Sequence, residues 1–177
     1  MSHHSLTTVY TRGQPTKLVM SWEYMDYACN DIIDQILISG LLPKRIVGLT
    51  RGGLPPAVII SHRLKLPMSA LDWQTRDGTV QERLKLEALL EDLDDGDRLL
   101  IVDDIADSGR TFAQIKAAIP AGQESKVLFA AVVYKTSSVV EPDFYSTYHK
   151  VRGEEDVWFV FPYEAPYAPI SSLLKDS

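Results

Sequence analysis

Apolar residues recur along the first part of the chain with the spacing of a helix. Behind a candidate N-cap, Ser21, they return every third or fourth position until Gly40 and Pro43 supply stop signals. A serine side chain can satisfy the free N–H groups of a first helical turn, and glycine and proline commonly end a helix. The pattern therefore predicts an amphipathic helix over residues 21–39.

Short apolar runs farther along the chain predict strands. The run VLFAAVVY is continuous, which is typical of a strand buried on both faces. The predicted strands cover residues 45–50, 68–73, 99–104, 127–134, 143–149 and 157–161, and the predicted helices cover residues 54–63 and about 108–119. Alternation of strands and helices indicates an α/β domain with a mainly parallel, twisted sheet flanked by helices.

The pattern is mixed between the second and third predicted strands. The segment TRDGTVQER, residues 75–83, is polar and contains glycine, so it predicts an exposed loop. The next segment, LKLEALLEDL, fits a helix by the spacing of its leucines and a strand by its alternation. Both interpretations stay open for it, and DDGD then reads as a turn.

The chain shows no internal repeat, low-complexity tract or linker that would divide it. We expect one domain over residues 17–170, between a flexible polar N-terminal tail, residues 1–16, and a C-terminal tail, residues 171–177. The 177 residues, 45% hydrophobic and 24% charged, suit a single globular core.

Charge and cysteine content narrow the class of protein. A net charge of −6 argues against nucleic acid as a partner. The single cysteine, Cys29, excludes a disulfide within the chain, which suits a reducing compartment. Because no apolar stretch reaches the length of a membrane span and the start lacks a secretory pattern, we expect no membrane contact and a cytoplasmic protein.

Three aspartates follow an aliphatic run in LLIVDDIADSGRT, residues 99–111. Asp103, Asp104 and Asp107 would repel one another unless a neutral or cationic group lies between them. Sugar hydroxyls donate hydrogen bonds to carboxylates, and Mg²⁺ prefers oxygen ligands. The aspartates therefore indicate a polyol with a metal ion rather than a solvated turn.

The residues directly after these aspartates suit an anion. They combine N–H groups at a helix start with hydroxyls and an arginine, an arrangement that binds phosphate. They are Ser108, Gly109, Arg110 and Thr111. Together with the acidic strand end, they predict a site for a ribose 5-phosphate unit.

Other phosphate and metal motifs are absent from the sequence. It contains no Gly-Lys dipeptide, which a P-loop requires, and no G-x-G-x-x-G after the first strand of the sheet. The acidic segment also lacks the spacing of a calcium loop.

The segment VDDIADSGRT resembles the phosphoribosyl-pyrophosphate (PRPP) signature of the type I phosphoribosyltransferases. The resemblance extends from about residue 17 to residue 164, and is closest to the small xanthine-guanine and hypoxanthine-guanine enzymes. It implies transfer of a phosphoribosyl group from PRPP to a 6-oxopurine with Mg²⁺. It also implies a small C-terminal hood, a mobile active-site loop near residues 75–83, and a homodimer or homotetramer.

The resemblance also implies roles for the acidic segment. Asp103 and Asp104 would hold the ribose hydroxyls and the metal, and the four residues from 108 to 111 would hold the 5′-phosphate. Asp107 would face N7 of the base, either as proton acceptor or as an electrostatic stabiliser.

Three further segments carry the closer match. In LTRGG, the pyrophosphate would lie against Thr50, Arg51, Gly52 and Gly53. In VVYKTSS, Lys135 would donate to the 6-oxygen of the purine. In VWFVFPYE, Trp158 and Phe159 would border the base, and Glu164 would help bind a second metal ion.

The chain departs from the family pattern at three places. The expected loop has no Ser-Tyr pair, Arg110 replaces a small residue or lysine, and Tyr163 replaces the second tryptophan of the terminal motif. The preferred purine stays open at this point. So do another acceptor for the phosphoribosyl group and a non-catalytic regulator that senses PRPP or a nucleotide.

Overall fold

The computed structural model describes residues 6–9, 16–73, 80–150 and 157–164. Its strands are β1 (Leu6–Val9), β2 (Thr16–Met20), β3 (Arg45–Leu49), β4 (Met68–Leu71), β5 (Leu99–Ala106), β6 (Val127–Lys135), β7 (Phe144–His149) and β8 (Val157–Val160). Its helices are α1 (Trp22–Ser39), α2 (Leu54–Leu64), α3 (Val80–Glu91) and α4 (Arg110–Ala118), with short 3₁₀ turns at Glu124–Lys126 and Pro162–Glu164. Among the described helices, none combines the length and the apolar character that crossing a membrane requires.

Five strands form the central sheet in the order β4-β3-β5-β6-β7, and every neighbouring pair is parallel. This arrangement confirms the predicted α/β fold. Because side chains alternate along a strand, Leu100 and Val102 of β5 enter one core while Leu99 and Ile101 enter the other. The carboxyl ends of β3, β5 and β6 meet at one edge of the sheet, where such folds bind ligands.

Helix α1 confirms the helix predicted from apolar spacing. The Ser21 hydroxyl accepts a hydrogen bond from the Tyr24 N–H at 3.1 Å, and Gly40 ends the helix with a left-handed φ of 71°. Its apolar face is buried, and the helix packs against α2 and β7.

A second, three-stranded sheet has the order β1-β2-β8, and we call it the hood. β1 pairs antiparallel with β2, and β8 pairs parallel with β2. The hood therefore contains strands from both ends of the chain, whereas a C-terminal hood was expected. Leu6–Val9, which lies within the predicted N-terminal tail, is the edge strand β1; it pairs with β2 on one side, and Leu6 packs against the core.

The segment LKLEALLEDL, which fitted both a helix and a strand, lies mostly in helix α3. Leu86 and Leu90 lie one turn apart and are fully buried, so the helical spacing of the leucines prevails over their alternation. The helix begins at Val80, so the predicted exposed loop is wrong for residues 80–83. Residues 74–79, which contain the rest of the expected mobile loop, lie outside the described residues.

Candidate active site

The loop after β3 packs directly onto β5. A Cβ added to Gly53 would lie 2.2 Å from the carbonyl oxygen of Val102, so a side chain at this position would collide with the β5 backbone. The peptide bond between Thr50 and Arg51 is cis. The Thr50 hydroxyl donates to Asp72 at 2.8 Å, whereas Arg51 is exposed. Of the four residues predicted for pyrophosphate, the two glycines therefore lie nearest the acidic strand.

Asp103 and Asp104 lie within β5, which continues two residues beyond the predicted end to Ala106. The Asp104 N–H donates to the Asp103 carboxylate at 3.0 Å. Burial raises the pKa of Asp103 well above its usual range, and the charge of Asp104 adds to this rise. Burial likewise raises the pKa of Asp104, although hydrogen bonds to it oppose the rise. The two carboxyls therefore form an electrostatically costly pair that a cation or donor hydroxyls would relieve.

Tyr163, on the turn after β8, contacts this acidic pair. Its hydroxyl lies 2.5 Å from Asp104 Oδ2 and 3.3 Å from the carbonyl oxygen of Gly52. Burial and the negative charge of Asp104 raise the pKa of Tyr163, so the hydroxyl keeps its proton for donation. The sequence marked this tyrosine only as a departure from a motif, because nothing local shows a contact across 59 residues.

Gly52, Arg51, Asp104, Tyr163 and Glu164 line a cavity of about 550 Å³. A Cβ added to Gly52 would lie only 2.0 Å from Asp104 Oδ2. The carboxylate thus occupies the space that any larger residue would need. The glycine loop and the acidic strand end form one wall of this cavity.

The segment after β5 turns sharply at Gly109, which precedes α4 and has a left-handed φ of 70°. A Cβ there would also meet the Ser138 hydroxyl at 2.2 Å, so both conformation and space favour glycine. The loop after β6 supports this segment, since the Val139 N–H donates to the Ser108 carbonyl at 3.0 Å. A cavity of about 90 Å³ lies at the start of α4, lined by the four predicted phosphate residues among others.

Lys135 and Asp107 form an ion pair at 3.0 Å. The side chain of Lys135 is 6% exposed, whereas that of Asp107 is 60% exposed, so the lysine belongs to the wall of the site and the aspartate to its opening. Both residues line a cavity of about 140 Å³ together with Trp158 and Phe159. Phe159 is buried and Trp158 is exposed. The residues predicted to contact the base therefore lie together.

His149, which no sequence motif singled out, also lies beside this cavity. Its ring meets the Phe159 ring edge to face, with centroids 5.4 Å apart. Burial lowers the pKa of His149, and the charge of Lys135, its partner across β6 and β7, lowers it further. Strand register alone brings the histidine here, and register is not visible in a local pattern.

Glu164 reaches both the 550 Å³ and the 140 Å³ cavities. Its carboxylate accepts a hydrogen bond from the Phe161 N–H at 3.0 Å. Within the described residues, no cluster of three or more His, Cys, Asp or Glu side chains could hold a metal ion. The acidic pair, with oxygen donors only, fits Mg²⁺ held partly by water and ligand oxygens rather than by a protein cage.

The parallel sheet, the acidic strand end and the glycine loops at one edge define an α/β domain of the nucleotide- or sugar-phosphate-binding class. Residues 21–168 match the phosphoribosyl transferase domain, and the chain belongs to this family. The resemblance found in the sequence is confirmed.

Relatives agree with this assignment. The chain is 32% identical over 128 residues to a xanthine-guanine phosphoribosyltransferase of Desulfotalea psychrophila, covering 68% of this chain and 70% of the relative. It is 31% identical over 127 residues to the same-named protein of Cereibacter sphaeroides, covering 68% and 69%. The crystal structure of a purine phosphoribosyltransferase from Pyrococcus horikoshii superposes with a TM-score of 0.63 at 25% identity, covering 86% of this chain and 97% of that one.

Proposed function

We propose that this protein transfers the 5-phosphoribosyl group of PRPP to a 6-oxopurine, giving a nucleoside 5′-monophosphate and pyrophosphate. The observation that carries the proposal is the ion pair between Lys135 and Asp107 within a cavity lined by two aromatic residues. The O6 and N7 atoms lie side by side on the edge of a 6-oxopurine. An ammonium donor next to a carboxylate matches an O6 acceptor next to a protonated N7.

This pairing favours guanine, xanthine and hypoxanthine over adenine. Adenine carries an amino group in place of O6, and that group would direct its protons at the Lys135 ammonium. Recognition of this kind rejects a ligand by leaving polar groups poorly paired. The names of the curated relatives support a purine acceptor.

The remaining site residues would bind PRPP along the edge of the sheet. The N–H groups and hydroxyls from Ser108 to Thr111, with Arg110, would hold the 5′-phosphate in the 90 Å³ cavity. Arg51 and the N–H groups of Gly52 and Gly53 would hold the pyrophosphate, with Thr50 beside them. Asp103 and Asp104 would accept hydrogen bonds from the ribose hydroxyls.

Mg²⁺ would lie at Asp103 and Asp104, with Glu164 at the edge of the same cavity. A Mg²⁺ ion held there would supply positive charge to offset the negative charge of the departing pyrophosphate. The fit rests on the oxygen donors and on the raised pKa values of the two half-buried carboxyls, which a cation would lower.

The transfer step forms a bond from N9 of the base to the anomeric carbon while the bond from that carbon to pyrophosphate breaks. Asp107 faces N7 and either takes its proton or stabilises the positive charge that develops on the base. Phe159 and Trp158 cover the base and restrict water, which would otherwise capture the sugar cation. We further propose that the protein acts in the cytoplasm as a homodimer or homotetramer, as the family resemblance implies.

The test is an assay of pyrophosphate release from PRPP with Mg²⁺ and one base at a time: guanine, xanthine, hypoxanthine, adenine, uracil or orotate. We expect release with 6-oxopurines only, and the rates would rank the three. Release with orotate or uracil alone would replace the acceptor in the proposal. Binding of PRPP without release with any base would favour a regulator.

A further inference from the structure

A single tyrosine hydroxyl connects three segments of the site that are distant in sequence. Tyr163 Oη lies 2.5 Å from Asp104 Oδ2 in β5, and 3.3 Å from the Gly52 carbonyl in the loop after β3. A hydroxyl has one proton to donate, and the shorter of the two distances indicates that it donates this proton to the Asp104 carboxylate. The C-terminal turn thus supplies a donor to the acidic strand end.

The ring of Tyr163 is held in place independently of this hydroxyl. It stacks on the Phe161 ring, with centroids 5.6 Å apart and planes 5° apart, and Phe161 is buried. The turn itself closes through the Glu164 N–H, which donates to the Phe161 carbonyl at 2.9 Å, and through the Phe161 N–H, which donates to the Glu164 carboxylate. Removing the hydroxyl therefore leaves the ring and the turn in position.

The carboxylate of Asp104 has hydrogen-bond partners within β5, the Asp103 carboxyl and the Ile105 N–H, and one partner outside this strand, Tyr163. Rotation about the last bond of an aspartate side chain is soft, so the plane of the carboxylate depends on the groups around it. On the Oδ2 side, these groups are the Tyr163 hydroxyl and the bare Cα of Gly52, where an added Cβ would lie 2.0 Å from Oδ2. Tyr163 donates to this oxygen from outside β5.

We propose that Tyr163 is a positioning residue that fixes the Asp104 carboxylate for PRPP. The inference rests on the proposed function, because it assigns Asp104 to the ribose and metal side of the PRPP site. A correctly turned carboxylate meets the ribose hydroxyls without first reorganising, which lowers the cost of binding. The base-binding cavity around Lys135 and Phe159 includes Asp104 but not Tyr163, so loss of the tyrosine hydroxyl removes no direct contact to the purine.

The experiment compares Tyr163→Phe with a matched control, Tyr24→Phe. The Tyr24 hydroxyl also makes one half-buried hydrogen bond between distant elements, to Thr147 at 3.0 Å, but it lies outside the three cavities of the site. Each variant loses one oxygen atom. PRPP affinity is measured by calorimetry with Mg²⁺, and the KM values of PRPP and purine are measured separately.

For Tyr163→Phe, we expect PRPP to bind about 10- to 100-fold more weakly, as for loss of one hydrogen bond to a charged group. The purine KM at saturating PRPP should change by less than about twofold, since no base contact is lost. Tyr24→Phe should leave both values unchanged. It should lower the free energy of unfolding about as much as Tyr163→Phe does. A merely structural role for Tyr163 would move stability without this split between PRPP and purine.

A double-mutant cycle tests whether Tyr163 acts through Asp104. In an Asp104→Asn background, Tyr163→Phe should weaken PRPP binding by no more than about twofold, because residues in contact are not additive. If Tyr163→Phe weakens PRPP binding equally in the wild-type and Asp104→Asn proteins, the inference is overturned. It is also overturned if the wild-type protein binds PRPP and Tyr163→Phe binds it with the same affinity. If the wild-type protein neither binds PRPP nor consumes any purine, the proposed function fails and the inference falls with it.

Discussion

Substitution of Gly52 by alanine tests whether activity depends on the close packing of Gly52 on the Asp104 carboxylate. The added Cβ would lie 2.0 Å from Asp104 Oδ2 and 2.5 Å from its Cγ. These distances are at least about 1 Å shorter than the ~3.5 Å of an optimal carbon contact. Among the described glycines, Gly52 is not one of those with positive φ, so the alanine backbone itself fits. The strain therefore falls on the Asp104 carboxylate, which must move by about 1 Å.

A displacement of about 1 Å in a site that depends on orientation can cost on the order of 100-fold in rate. We therefore expect Gly52→Ala to lower kcat/KM for PRPP by about that factor. The free energy of unfolding should fall by about 1–3 kcal/mol, as for other overpacked positions. The assay is pyrophosphate release at varied PRPP, with unfolding in urea followed by circular dichroism.

Gly96→Ala is the matched control. Gly96 has a φ of 90° and no neighbouring atom within 4 Å of an added Cβ, so the substitution strains the backbone without touching the site. It should cost about 1–2 kcal/mol of stability and leave kcat/KM unchanged. The reasoning fails if Gly52→Ala binds and turns over PRPP like the wild type, or if Gly96→Ala loses as much activity.

Two further substitutions test the base side of the site. Asp107→Asn should lower kcat by about 100-fold or more, as for loss of a general acid–base group, while PRPP affinity stays within several-fold; unchanged kcat would remove Asp107 from the mechanism. Lys135→Ala should raise the KM of guanine more than that of PRPP and reduce the preference for guanine over adenine, because the donor to O6 is lost. The same preference in this variant as in the wild type would show that Lys135 does not recognise the base.

Apolar runs predicted the central sheet well because its strands are buried on both faces. The run VLFAAVVY lies in β6, and the run before Asp103 in β5, where sequence and burial agree without help from the rest of the chain. The Asp-Asp pair and the glycine loop were also predicted as site residues, because their chemistry is unusual at strand ends, and they lie together, with Gly52 packed on Asp104. The sequence pattern of a short segment was therefore enough to predict those strands and residues whose burial or chemistry depends on that segment alone.

The hood could not be predicted in the same way. β1, with the sequence LTTV, is short and mostly exposed, so its polar pattern resembles that of a tail. Its strand character comes from pairing with β2, which in turn pairs with β8 more than a hundred positions later in the numbering. Long-range pairing of this kind leaves no periodic signal in a short segment. The Tyr163–Asp104 contact escaped prediction for the same reason, because the turn after β8 brings it to the site.

Substitution of Asp103 tests how much folding stability the protein loses by keeping this carboxylate charged. Burial and the neighbouring Asp104 raise its pKa above the usual value of 3.8, so the folded state binds this proton more tightly than the unfolded state. Stability therefore falls as pH rises from about 3.8 through the folded-state pKa, and the full cost is present above it. Asparagine keeps an oxygen that can accept the Asp104 N–H but carries no charge. Without PRPP or Mg²⁺, Asp103→Asn should raise Tm at pH 7 by a few degrees, given about 2–4 °C per kcal/mol, while abolishing turnover.

The pH dependence separates this electrostatic gain from a general packing effect. Near pH 4, where the wild-type carboxyl is already protonated in the folded state, Asp103→Asn and the wild type should differ little in Tm. The control is Asp95→Asn, at an exposed turn position, which should shift Tm at neither pH. A gain of the same size at pH 4 and pH 7, or a loss at pH 7, would contradict the assignment of a charge penalty to Asp103. A gain confined to pH 7 would show that the fold accepts this penalty to keep a carboxylate where PRPP and Mg²⁺ would meet it.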